Sequence, residues 1–124
     1  MRDEGGQAVV EFALVLPLLL AVVYAIVSFG QVYENSIALT EAVRAGARVA
    51  LVSRTAVDPT GTATAAVVSS GGNLGLTPGQ VSVTSTWQPG SDVTVSATYP
   101  YSVSLFGMSL VAGNLNSSTT VRVE

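Results

Sequence analysis

At 124 residues, with 48% hydrophobic and only 10% charged side chains, the chain has room for one small domain and an apolar anchor, and folds this small are marginal on their own. Net charge is −3 and the five basic residues, all Arg, are not clustered, so a nucleic-acid partner is not expected. With neither Cys nor His, disulfides, thiolate catalysis and the usual zinc ligand sets are excluded, and no cofactor or metal site is expected.

Residues 1–6 form a polar leader with two glycines, expected to lack order. No charged side chain occurs over residues 12–27, and only Ser28 interrupts before Phe29. With Ala8, Val9 and Val10 upstream, the block spans a bilayer core of about 30 Å, which takes roughly 20 helical residues. Residues 7–29 therefore read as a transmembrane helix. A removable signal peptide would have a basic start and a shorter apolar core; here Asp3 and Glu4 offset Arg2, and retention fits better. Arg2 favours a cytoplasmic N-terminus, though so few charges set orientation weakly.

Glu11 is the one charge near the head of this block, and a carboxylate at membrane depth marks a functional candidate. On one reading it faces the positive end of the helix dipole, worth about 0.3–1 kcal/mol. On the other, the chain is cut between Gly6 and Gln7, and Glu11 and Phe12 become the fifth and sixth residues of the mature protein. Pro17 removes a backbone donor and frees the carbonyl of Ala13, which membrane helices tolerate by local readjustment. A kink or loosened turn is expected there, whether as a working hinge or as a passive membrane proline.

Helical periodicity continues well past the membrane. Ala38, Ala42, Gly46 and Ala50 recur every fourth residue, while Glu34, Glu41, Arg44 and Arg48 take the other side, with Glu41 and Arg44 spaced to pair. The small-residue row admits a close neighbour: first the protein's own sheet, second a helix of another subunit. A helix over residues 7–53 is about 70 Å long at 1.5 Å per residue, so residues 30–53 form a stalk. Asp58-Pro59 then turns or caps the chain, and residues 62–70 suggest a short helix. The run Gly71-Gly72-Asn73-Leu74-Gly75 follows a helix rather than a strand and lacks a lysine, unlike a phosphate loop.

From Gln80 the period switches to two. Val81, Val83, Ser85 and Trp87, then Val93, Val95, Ala97, Tyr99 and Tyr101, alternate with polar residues around Gln88-Pro89-Gly90-Ser91, which predicts an antiparallel hairpin. Residues 119–123 supply a third strand. The apolar connection over residues 102–113 either tucks under the sheet or presents a contact surface. The fold class is thus α+β: a long N-terminal transmembrane and stalk helix packed against a small three-stranded antiparallel sheet, with residues 54–124 forming a small domain beyond the stalk. The eight carboxylates are scattered and none is paired by spacing for acid–base work, so no enzyme is expected.

The order polar leader, Gly6, four residues, Glu11, Phe12 and a long apolar helix resembles the processing site of type IV-like pilins. Together with "TEAVRAGARVA", "TYPY" and the closing "STTVRVE", it resembles TadE-like proteins, the minor pseudopilins of Tad/Flp (tight adherence) pilus systems. That resemblance implies a structural subunit in the cytoplasmic (inner) membrane with its C-terminal domain outside. It would be trimmed after Gly6 by a prepilin peptidase and help initiate or cap an adhesive pilus. Its implied partners are other pilin or pseudopilin subunits, the inner-membrane assembly platform and membrane lipid. Cleavage would give Gln7 an α-amino group of reference pKa about 7.7–8.0, available to Glu11 of a neighbour unless the glutamine cyclises. Two other readings stand beside it: a bitopic scaffold or adhesion protein that never polymerises, and a pseudopilin of a secretion machine.

Overall fold

The computed structural model describes residues 4–123. Leu, Ala and Val dominate the first half of the chain, and α1 runs unbroken over Glu4–Val52, 49 residues, with Pro17 inside it. Gly5 and Gly6 lie in its first turns, so this part of the expected leader is helical rather than loose; residues 1–3 fall outside those described. At its far end Ser53 turns its hydroxyl back onto the Val49 carbonyl (2.6 Å) as a single 3-10 turn, Ser53–Thr55, closes the helix.

Asp58 starts α2 (Pro59–Ser70) by accepting the Gly61 amide at 2.9 Å, with Pro59 in the first helical position. Both choices suit a helix start, one filling an orphan donor and the other lacking one. The glycine-rich run ends α2 and inserts Leu74 and, just beyond it, Leu76 into the core. Gly75 takes a left-handed conformation at φ 61°.

Three antiparallel strands follow in the order β1 (Val81–Thr84), β2 (Asp92–Leu105), β3 (Met108–Arg122). Val81 pairs with Ala97 and Thr84 with Thr94, so the expected hairpin forms with a longer connection. Trp87 leaves the strand with φ 56° and packs against the core from the loop, its amide held by Ser85 Oγ at 3.0 Å. Val123, buried after β3, exchanges hydrogen bonds with that loop, donating to Ser91 and accepting from Gly90.

The apolar stretch over residues 102–113 is not a connection tucked under the sheet. It continues β2, reverses at Phe106-Gly107 and returns as the start of β3, with Leu105 opposite Met108. Positive φ at both Phe106 (51°) and Gly107 (78°) is the mark of a type I′ two-residue turn, whose twist matches that of the strands it joins. The third strand is therefore much longer than residues 119–123. A register shift beside Val103/Ser104 marks a bulge in this arm.

The core lies where α1, α2 and the inner face of the sheet meet: Leu39, Val43, Val67, Val93, Val95 and Val123 are its fully buried large side chains. The outer face of the sheet is polar, with Thr94 to Thr120 at 3.0 Å and Thr98 to Asn116 at 2.9 Å. Glu41 and Arg44 do not pair. Among the described residues the ion pair is Arg122 to Asp92, 3.7 Å apart and well exposed. Two long charged side chains in open water gain little from being fixed together.

Candidate assembly surface

The N-terminal end of α1 presents its predicted site residues on the outside of the helix. Gln7 and Glu11 stand one turn apart on one face, and the Gln7 side-chain amide donates to Glu11 Oε1 at 3.4 Å. Such a long, exposed contact holds neither group firmly. Phe12 is exposed beside it. Gly6 lies in the turn before, so the backbone at the proposed Gly6/Gln7 cut is helical. Beyond this end the apolar surface is largely open: the most hydrophobic stretch of α1 is long and apolar enough to cross a membrane, and none of it is buried.

The small-residue row lies on the opposite part of α1. Ala42, Gly46 and Ala50 are buried and Ala38 is partly so. Gly46 faces α2, where a Cβ would overlap Val67 Cγ2 and lie 3.3 Å from the Ala63 carbonyl oxygen. The sheet reaches the same stem at Ser117, whose hydroxyl donates to Thr40 Oγ1 at 3.4 Å. This face is occupied within the chain.

Between these regions a half-buried stripe continues toward the N-terminus through Asn35, Val32, Ser28, Ala25 and Ala21, where the arm of β2 and β3 lies along α1. The cleft between helix and arm has two adjoining parts. The upper, about 290 Å³, is lined on α1 by Ser28, Gln31 and Asn35 and on β2 by Ser102 and Ser104. The lower, about 400 Å³, is lined by Leu20, Ala21, Leu105 and Phe106, with Tyr24 bordering both. The arm therefore reaches down beside the apolar block, a relationship that strand periodicity does not reveal. The alternation of Ser102, Val103 and Ser104 and the glycine at 107 signal a strand and a turn, but not that they lie along α1.

Residues 6–48 match the family model described as TadE-like protein. Over that segment, less than half of the chain, the protein is similar to TadE-like proteins. The match opens at Gly6 and closes at Arg48, so the TadE-like segment holds the N-terminal site, the apolar block and most of the stem, and stops short of α2 and the sheet. No curated protein and no solved structure matches the chain.

Proposed function

We propose that this TadE-like protein is a membrane-inserted minor pilin, cut after Gly6, that takes part in initiating or capping a Tad/Flp-type adhesive pilus. What carries the reading is one coincidence: the family match begins at Gly6, the residue before the proposed cut, and runs into an apolar helix whose hydrophobic surface the rest of the chain leaves unburied. A lone bitopic anchor needs only lipid around it. A subunit needs a feature that lipid does not use, and Glu11 is that feature.

Two further observations support it. Glycine in a helix is less favourable than alanine by about 1 kcal/mol, so Gly5 and Gly6 let the first turns unwind cheaply into an extended peptidase substrate. Glu11 lies four residues beyond Gln7, about 6 Å along the axis. A neighbouring parallel helix displaced by that amount brings its new α-amino group level with this carboxylate. In a dry bundle, deleting one partner of such a pair costs roughly 3–5 kcal/mol, enough to set the stagger between subunits.

Intact-mass measurement of the assembled protein tests the reading. The expected mass begins at Gln7, and an uncut N-terminus on surface-assembled protein overturns it. A mature chain that has lost ammonia from Gln7 overturns the ion pair alone. Mechanical shearing separates the roles: a pilus subunit enters the sheared fraction, whereas a fixed scaffold stays with the membrane.

A further inference from the structure

The turn that ends the β2–β3 arm is built in an unusual way for its position. In a type I′ turn the first central residue takes positive φ, where Asn, Asp or Gly is favoured, yet Phe106 occupies it at φ 51° and leaves 84% of its surface exposed. A bulky residue held there, with nothing in the chain to cover it, points to a role outside the fold. Met108, Leu110 and Val111 next to it are also exposed, and no charged residue occurs between Asp92 and Arg122.

The level of this tip along α1 decides its partner. It lies beside Leu20, Ala21 and Tyr24. Counted from Gln7, Leu20 is about 20 Å and Tyr24 about 26 Å along the helix axis, inside a hydrocarbon core of about 30 Å. The cleft changes character at the same level, from serine and amide side chains above Tyr24 to Leu20, Leu105 and Phe106 below it. A tyrosine at a boundary between greasy and wet surroundings is the usual occupant of a membrane interface.

We infer that the Phe106-Gly107 turn is a second membrane contact, inserting Phe106 and Met108 into the outer leaflet beside α1 so that lipid acyl chains fill the lower cleft. This rests on the reading of α1 as membrane-spanning. Insertion is shallow. The arm's outer edges carry unpaired backbone groups that hydrocarbon does not satisfy, so only the turn passes the boundary, to the roughly 5–10 Å typical of interfacial elements. The protein is then held at two points, helix and turn, which limits how far its stem can tilt from the membrane.

The chain has no cysteine, so single-cysteine spin labels report single positions. Full-length protein carrying Phe106→Cys, Val15→Cys or Asn73→Cys is labelled in phosphatidylcholine/phosphatidylglycerol vesicles. Collisions with oxygen, which partitions into lipid, are compared with collisions with a water-soluble nickel chelate. The label at 106 is expected to follow that at 15, favouring oxygen, and to oppose that at 73. A label at 106 that behaves like the one at 73, while 15 remains in lipid, overturns the inference and leaves the membrane span standing. A label at 15 exposed to the chelate overturns both. Shielding at 106 that disappears as protein is diluted in lipid assigns the tip to a second copy and overturns the lipid contact. Met108→Cys repeats the measurement with the native turn intact.

Discussion

Val67 of α2 occupies the notch that Gly46 leaves in α1, so close that a Cβ at 46 would overlap its Cγ2. Both residues are buried. Valine has one strongly preferred rotamer in a helix, and the Ala63 carbonyl oxygen lies 3.3 Å from the same Cβ position, so the contact has little room to give. Gly46→Ala gains up to about 1 kcal/mol in helix propensity but overpacks a closed site, at about 1–3 kcal/mol. The expected result is a net loss of up to about 2 kcal/mol, read as a lower midpoint in thermal unfolding of the full-length protein in detergent. Gly46→Ala with Val67→Ala should recover part of the overpacking cost when compared with Val67→Ala alone. Strict additivity of the two changes would mean that the notch is not tight.

That contact also shows what periodicity conveys and what it omits. A row of Ala38, Ala42, Gly46 and Ala50 announces that something packs closely on the stem. It does not say which element arrives where, because α2 and the sheet both carry small apolar faces. The strand pattern located β1 and the first half of β2 well, since one face is wet and the other dry. It failed over residues 102–113, where adjacent pairs such as Leu105-Phe106 and Leu110-Val111 break the alternation. The bulge beside Val103/Ser104 and a turn made from Phe-Gly rather than Asn-Gly removed the remaining cues. Trp87 kept the spacing of a strand residue but gained its burial by leaving the strand.

Asp58 and Gly61 should behave as a unit at the start of α2. The carboxylate accepts the Gly61 amide at 2.9 Å, and a Cβ at 61 would collide with it. Asp58→Ala is expected to cost about 1 kcal/mol, the usual value of a lost N-cap, with Asp58→Asn close to neutral. Hydrogen exchange of the first-turn amides of α2 is the sensitive readout. Equal exchange in wild type and Asp58→Ala would show that α2 is held by its packing on α1 alone.

The strain at the hairpin tip has its own measurable consequence. An L-residue in the left-handed region costs about 1–2 kcal/mol, less for asparagine, and Phe106 has little packing to lose because it is exposed. Phe106→Asn should therefore stabilise the turn by about 0.5–1 kcal/mol, slowing exchange of the Leu105 and Met108 amides in detergent by a factor of roughly 2–5. Faster exchange in the variant would mean that the phenyl ring holds the arm together.

Glu11 separates the two readings of the N-terminus most directly. If the carboxylate only complements the helix dipole, its loss costs about 0.3–1 kcal/mol and leaves the protein able to enter the sheared surface fraction. If it answers the amine of a neighbouring Gln7, Glu11→Ala and Glu11→Gln both remove the charge and should both prevent entry into that fraction, while mature protein still accumulates in the membrane. Glu11→Asp keeps the charge but shortens its reach by one methylene, so partial assembly is expected. The position on α1 makes the comparison clean: Glu11 is exposed and its contact within the chain, to Gln7, is a long one. None of the three changes should alter the folding of α2 and the sheet, and an unchanged unfolding midpoint checks this. Normal assembly of Glu11→Ala with correct processing would reduce the carboxylate to a dipole partner and move the search for the subunit contact elsewhere on the apolar helix.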